Sequence, residues 1–319
     1  HDAIVNLPGA TTVRKLVVTR ALEYLDKLAQ ESGDDASLQR DLAAAYQKVG
    51  DVLGNPTNAN LGGTTAALQS YRKALAILGD VTAGNSTDAK AFRSLAIVHE
   101  KMGDTQAWSG NIPAGVQSTR TSLSIFQSLA NADTTNRRAV RSVAISHVKL
   151  GDLLGNPDFP NMGESAEAME NYEASLGILR HLSALDSSDG ATRRYLGLVY
   201  ERIGTIQHLQ GNLIGARESF RKSLEKRAAF STDNPTDVDA RRDYGIAFEK
   251  IGDMNYASKE SGQALENYRK AAAVFKQLAT DDPHNASAII TMANIHVKVG
   301  DVMADRTLPK SVNPVGAQR

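Results

Sequence analysis

The sequence contains no cysteine, which excludes disulfide bonds and thiolate metal sites. Aromatic residues are only 5% of its 319 residues, and lysine plus arginine equals aspartate plus glutamate at 36 each. This balance provides no global basic field for nucleic acid. No run approaches the ~18 apolar residues of a membrane helix, and the start lacks a signal-peptide pattern. Composition therefore favours a protein partner, with no cofactor and no membrane insertion of this segment.

What the sequence does contain is a repeat. A basic residue, an apolar residue and a glycine recur together, and Asp or Thr follows each time. The glycines are spaced by 53, 48, 53, 48 and 48 residues, which is a fixed period with two insertions of five. They are Gly50, Gly103, Gly151, Gly204, Gly252 and Gly300.

The residues around each glycine predict a pair of helices. Four residues before it stands a ring, and seven before it a small residue, so both share one helix face with the glycine. The rings are Tyr46, His99, His147, Tyr200, Phe248 and His296, and the small residues are Ala43, Ala96, Ala144, Gly197, Gly245 and Ala293. A second motif follows, alanine then an aromatic residue four positions on, at Tyr71, Tyr172, Phe220 and Tyr268. One copy is degraded, with Gly115 and Thr119 at these positions.

These two motifs in phase resemble the tetratricopeptide (TPR) helix pair. The unit here is 48 residues long, where the usual TPR unit has about 34. The resemblance implies an all-α fold, a right-handed α-solenoid of TPR-like antiparallel helix pairs. We expect a lead segment at 1–12, a solenoid at 13–304 and an extended tail at 305–319. The solenoid is predicted to hold a lone lead helix, five helix pairs and a lone last helix.

Residues 1–63 resemble the region that opens the TPR tail of large bacterial serine/threonine protein kinases. In that family a kinase domain and a membrane helix precede the tail, so the resemblance implies an extracytoplasmic location. The chain itself has no Gly-rich phosphate loop and no H-R-D or D-F-G run. Because it begins with His rather than Met, we expect a processed product or a segment of something longer.

Candidate catalytic and metal-binding motifs are incomplete. His99 and Glu100 begin a zinc-protease-like pattern, but Gly103 stands where the second histidine is required. No nucleophile motif occurs, so we predict no enzyme activity. The insertion at 151–163 carries oxygen ligands for calcium without the EF-hand spacing, and the same residues suit a capped loop. They are Asp152, Asn156, Asp158, Asn161 and Glu164.

One stripe of the first helix carries regular charges. Its members lie ten, six and three residues before the glycine and one after it, and these offsets share a helix face. The resemblance to TPR proteins implies that this stripe lines a concave, peptide-binding groove. The alternative is a solvated face whose ion pairs contribute little. The stripe comprises Arg40, Arg93, Arg141, Arg194, Arg242, Gln47, Glu100, Glu201, Glu249, Asp51, Asp104, Asp152, Asp253 and Asp301.

Two classes of function remain open. The first is a binding module for an extended or helical segment of another protein, and the resemblance to kinase tails adds the alternative that this module is the sensor of a kinase. The second is a structural protein that assembles head to tail into filaments or tubes. In that case we expect Val18 and Ala21 of the lead helix to pack onto His296 and Val299 of the last helix of the next molecule.

Overall fold

The computed structural model describes residues 10–31, 33, 35–56, 60–283 and 285–305. These ranges form twelve α-helices and no β-strand. The helices are α1 (Ala10–Glu31), α2 (Ala36–Gly54), α3 (Thr64–Gly84), α4 (Ala89–Trp108), α5 (Ile112–Ala132), α6 (Arg137–Gly155), α7 (Ser165–Leu185), α8 (Gly190–Leu209), α9 (Leu213–Asp233), α10 (Val238–Ala257), α11 (Ser261–Asp281) and α12 (Ala286–Ala304).

The predicted fold class, an all-α helical repeat of the solenoid type, is confirmed. The repeat glycines lie on the even-numbered helices, which we call first helices, and the odd-numbered helices are second helices. Helix α1 begins at Ala10, within the predicted lead segment. The predicted tail lies outside the described residues except for Asp305. None of the described helices combines the length and the apolar character that a membrane span requires.

The chain divides into two compact units. Unit 1 is His1–Ser175 and unit 2 is Leu176–Arg319, so the division falls inside α7. Within unit 1, α2 packs on α3 and α4 on α5, and each second helix also contacts the first helix that follows it. Unit 2 repeats this arrangement with α8 on α9 and α10 on α11. Each unit is therefore built from antiparallel hairpins in contact with their neighbours.

Short polar side chains set where the first helices begin. Asp35 accepts hydrogen bonds from the amides of Ser37 and Leu38 at 2.8 and 3.1 Å. Such a cap satisfies amides that have no partner inside the helix. The same capping bond recurs at α4, α6, α8, α10 and α12, from Asp88, Asn136, Asp189, Asp237 and Asn285. The polar residue that precedes each first helix is thus used as its cap.

The two insertions form equivalent loops. Asn156 donates to Asp152 Oδ1 at 2.9 Å, Asn161 donates to the Asn156 carbonyl at 2.9 Å, and the Gly163 amide donates to Asn161 at 2.8 Å. Gly163 has φ +82°, in the left-handed region that glycine adopts without strain. The first insertion repeats these bonds with Asn55, Asp51, Asn60 and Gly62. Three of the five oxygen-rich residues considered as calcium ligands, Asp152, Asn156 and Asn161, therefore hold the loop together.

The repeat glycine makes room for the ring of its own hairpin. A Cβ added at Gly151 would lie 2.6 Å from the Tyr172 ring, closer than real side chains approach. Gly50, Gly204 and Gly252 meet Tyr71, Phe220 and Tyr268 in the same way. In the degraded repeat, a Cβ at Gly115 would lie 2.8 Å from the Gly103 carbonyl oxygen. Two glycines thus bring α4 and α5 together where the ring is missing.

Gly151→Leu is expected to destabilise unit 1 by about 2 to 3 kcal/mol, because the new side chain has no space beside Tyr172. Gly300→Leu is the matched control. No atom of the described residues lies within 4 Å of a Cβ there, so we expect a change within about 1 kcal/mol. Urea unfolding followed by circular dichroism measures both. Equal losses would contradict the packing role of the glycine.

Candidate functional site

The predicted charged stripe forms a surface with an aliphatic centre, which we call the first-helix face. Six residues before the glycine stand Ile97 and Ile145 in unit 1, and Leu198 and Ile246 in unit 2. All four are partly exposed, between the arginine row on one side and the acidic row on the other. A face of this composition offers apolar contact with charge at its borders.

The acidic row is largely engaged within the molecule. Asp51 accepts a hydrogen bond from the Tyr71 hydroxyl at 2.7 Å and lies 3.0 Å from Lys101 Nζ of the next repeat. Asp253 accepts from Tyr268 at 2.7 Å and pairs with Lys298 at 2.8 Å. The carboxylate therefore joins the two helices of its own hairpin to the following first helix.

The basic residue of the repeat motif pairs with acids of the preceding repeat. We call Lys101, Lys149 and Lys298 the lysine ladder. Lys149 Nζ lies 2.6 Å from Asp104 and 3.4 Å from Glu100. Burial acts to lower the pKa of Lys149, but the two carboxylates outweigh burial and raise that pKa above its usual value. Burial raises the pKa of Glu100, and the charge of Lys149 opposes that rise. Sequence reasoning missed these partners, although a basic residue two positions before each glycine was visible in the motif, arginine in the fourth repeat and lysine in the others.

Most of the arginine row is also paired with acids. Arg40 pairs with Asp88, the cap of the next first helix. In unit 2, Arg194 lies 2.9 Å from Asp243, and Arg242 lies 2.7 Å from Asp239. Arg40 and Arg194 therefore join neighbouring repeats, as the lysine ladder does on the other side of the face, whereas Arg242 pairs within its own helix.

Arg93 differs from these three arginines, because its guanidinium forms a hydrogen bond with a neutral group. Its guanidinium donates to Ser142 at 3.1 Å and lies 5.8 Å from the centre of the Phe126 ring. Burial lowers the pKa of Arg93, and the positive charges of Arg138 and Arg141 lower it further against the opposing effect of Glu100. We call Arg93, Arg138 and Arg141 the arginine cluster.

The sequence explains the positive charge of this cluster. Thirteen and nine residues before the glycine, the fifth repeat has Asp239 and Asp243, which pair with Arg194. The third repeat has Arg138 and Ser142 at these two positions. One acid is thus replaced by a base and the other by a hydroxyl, so this part of the face in unit 1 is electropositive.

Three residues assigned to the surface from sequence are buried. Glu201 is 3% exposed and lies 2.5 Å from Arg227 and 2.7 Å from Arg202. Arg227 occupies the core position of Leu78 and Phe275 elsewhere, and Gly197 leaves space for it. Asp152 is likewise buried, against the Tyr172 hydroxyl, and so is Asp104, beside Lys149. None of these three carboxylates is available to a partner in this arrangement, whereas Gln47 is partly exposed and Asp301 exposed.

The predicted self-assembly residues also differ in how far they are buried. Val18 is buried in the core beside α2, whereas Ala21 is only partly buried there. The adjacent first helix therefore covers Val18 and leaves little of it for another molecule, and the expected contact of Ala21 with another molecule stays a prediction. Val299 is partly buried in the core of unit 2, and His296 is exposed.

Two of the three histidines at the ring position, His99 and His147, are partly buried, whereas His296 is exposed. His147 Nδ1 lies 2.9 Å from Asn171 Oδ1 of the paired helix. Burial lowers the pKa of His99, which favours its neutral form. Among the described residues, no group of three or more histidine, aspartate or glutamate side chains is placed to hold a metal ion.

Comparison with known proteins shows the fold alone. No protein-family model and no curated protein matches the chain. The structure of BtubC (BKLC) from P. vanneervenii covers 86% of this chain and 94% of its own, at 15% identity and TM-score 0.62. A signal-transduction ATPase with a tetratricopeptide repeat sensor from Pyrococcus horikoshii matches at TM-score 0.47 and 16% identity, over 93% of this chain and 37% of its own. YrrB, titled a TPR protein with an unusual peptide-binding site, matches at TM-score 0.37 and 17% identity. The match covers 84% of this chain and 96% of the YrrB chain.

The lysine ladder predicts that one variant loses an amount of stability that depends on pH. Lys149→Met is expected to destabilise the protein by about 1 to 3 kcal/mol at pH 7, because Asp104 and Glu100 lose their counter-charge in a mostly buried place. The deficit should shrink toward pH 5, since both carboxylates then take up protons more readily in the folded variant. Lys270→Met, which removes an exposed pair with Glu266, should change stability by less than about 0.5 kcal/mol. Urea unfolding at both pH values measures this, and a deficit that grows on acidification would contradict it.

The fourth repeat offers a test of the tyrosine–aspartate pair. It has Phe220 and Thr205 where three other repeats have Tyr and Asp, and the Thr205 hydroxyl is buried with no hydrogen-bond partner in the described part of the chain. We expect the free energy of unfolding of the double variant Phe220→Tyr with Thr205→Asp to exceed the value obtained by adding the two single-variant effects, by about 1 to 2 kcal/mol. A double-mutant cycle measured by thermal unfolding gives this coupling. Simple additivity would mean that the two positions do not pair.

Proposed function

We propose that this protein is a non-catalytic scaffold that binds a segment of a partner protein on the first-helix face of unit 1. The segment is acidic and carries apolar side chains. The observation that supports this most directly is the arginine cluster beside the partly exposed Ile97 and Ile145. Arg40, Arg194 and Arg242 are compensated by aspartate, whereas Arg93 contacts a hydroxyl and a ring.

The chemistry of the cluster selects carboxylates over other groups. A guanidinium binds a carboxylate through two parallel hydrogen bonds, and attraction between opposite charges also raises the rate of encounter. Arg138 is exposed and can reach a ligand, while Arg93 is held in place by Phe126 and Ser142. Apolar side chains of the same segment would cover the aliphatic centre, as in peptide grooves built from helices.

The neighbouring lysine ladder limits where the partner can lie. The carboxylates beside this ladder already pair with Lys101 and Lys149, so they provide no additional attraction for a basic segment. They also border the cluster with negative charge, which disfavours a continuous polyanion such as nucleic acid. A short acidic stretch placed at the arginine side of the aliphatic centre meets both conditions.

Head-to-tail assembly is the second candidate function. It is favoured by the open face of α12 at Gly300. A Cβ there would meet no described atom within 4 Å, whereas a Cβ at any of the other five repeat glycines would meet a close neighbour. The resemblance of residues 1–63 to kinase tails stays a prediction, and with it the extracytoplasmic location.

The docking proposal can be tested with designed peptides. Fluorescein-labelled peptides of alternating Leu and Asp, Leu and Asn, or Leu and Lys are titrated with the chain, and fluorescence anisotropy is measured at low and high salt. We expect binding of the Leu/Asp peptide that weakens with salt. Arg138→Glu and Arg93→Gln should each weaken it about tenfold or more, equivalent to about 1.4 kcal/mol.

Arg120→Glu is the matched control, since Arg120 is an exposed arginine on the second helix α5 of the same unit. It should leave peptide affinity unchanged. Circular dichroism confirms that each variant is folded. Equal binding of the Leu/Lys peptide, or an Arg120→Glu effect as large as that of Arg138→Glu, would reject the arginine cluster as the docking site.

A further inference from the structure

Helix α12 presents a face that is covered in the other first helices. Ala293 is exposed, whereas its equivalents Ala43 and Ala96 are fully buried. His296 is also exposed, and the space around Gly300 is open among the described residues. In the complete hairpins this face contacts the second helix of the same repeat. The shape of α12 therefore fits a helix of the second type.

Helix α1 presents the complementary face. It is a second helix that packs on α2 through Val18 and Leu25, and its other side is apolar and open. Val17 is 53% exposed, although the equivalent Ser70 is only 2% exposed because α2 covers it. Tyr24 and Val13 on the same side are exposed too. Such a row of exposed apolar residues on one helix indicates a contact surface.

The two faces match position by position. In complete hairpins, the residue before the ring position of the second helix touches the residue three after the glycine of the first helix. The Ser118 hydroxyl lies 2.7 Å from Gln106 and that of Ser219 lies 2.7 Å from Gln207. The corresponding residues are Val17 on α1 and Met303 on α12. Every covalent hairpin has at least one polar residue in this pair, and only the combination of α1 with α12 is wholly apolar.

We propose that α1 of one molecule docks on α12 of a second copy and completes a composite hairpin there. Val17 then contacts Met303, and Ala21 lies opposite Ala293, as Ser223 lies against Gly197 in a covalent hairpin. The inference deepens the second candidate function and does not depend on the arginine cluster. It corrects the contact expected from sequence, because Val17 and Tyr24, rather than Val18, form the outward side of α1.

A second copy is the occupant that the sequence itself supports. The docking helix must be in register with the repeat and must have an apolar residue opposite Met303. Helix α1 meets the first requirement, since Val18 lies 28 residues before Tyr46, the same spacing that separates Tyr71 from His99. It meets the second through Val17. The contact joins two different surfaces, so one molecule can bind partners through both α1 and α12.

Two measurements on the full chain test the proposal. Because the chain has no cysteine, Val17→Cys in one preparation and Met303→Cys in another can be mixed and treated with a short bismaleimide cross-linker. We expect a cross-linked dimer in the mixture and far less in either preparation alone. In analytical ultracentrifugation from about 1 μM to about 1 mM, the average mass should rise above the 34.2 kDa of one chain.

Matched variants separate this contact from general stickiness. Val17→Glu should weaken association about tenfold or more, while Val297→Glu, at an equally exposed residue on the first-helix face of α12, should not. Lys15→Cys should not cross-link to Met303→Cys. A mass of one chain at every concentration, or equal cross-linking by Lys15→Cys, would overturn the proposal. It would also fail if association appeared only after removal of residues 306–319, since those residues would then occupy the face in the intact chain. None of these results bears on peptide binding in unit 1.

Discussion

The close contact between a glycine and the ring of its own hairpin is the constraint on which each repeat depends. Tyr172 lies so near Gly151 that even a methyl group would collide with the ring. The contact fixes the register of the two helices, and the register places the Tyr172 hydroxyl on Asp152. Where the ring is absent, Gly115 restores the approach by removing a second side chain. The spacing of the motif is therefore a packing requirement.

The ion pairs act at the next level, between repeats. Lys149 reaches back to Asp104, and Lys298 reaches back to Asp253, so the charged part of the motif joins each hairpin to its neighbour. In a solenoid such nearest-neighbour contacts add to the intrinsic stability of each repeat. Because these groups are partly or mostly buried, removing one member of a pair is costly. This explains why a charge row that resembles a docking surface in the sequence is mainly structural.

Periodicity was sufficient to predict the helices, the hairpins and the equivalence of the two insertion loops. It could not predict which charges are available, because residues at the same repeat position differ in their neighbours. Glu201 and Glu249 share a position, yet Glu201 is buried by an arginine that replaces a core residue. That exchange depends on Arg227 and Gly197 together, and neither residue alone departs far enough from the pattern to reveal it. Val18 was misassigned for a similar reason, since α2 covers it from the following repeat.

Departures from the repeat are more informative about function than the repeat itself. A residue that agrees with its equivalents is explained by the hairpin, whereas one that differs without a compensating core change calls for another explanation. Arg227 differs, but its buried partner Glu201 explains it. Arg138 differs by replacing an acid with a base at an exposed position, and Val17 differs by exposing an apolar residue where the other second helices have Ser or Asn. Neither change is explained by the packing of its own hairpin, which is why each supports one of the two proposed contacts.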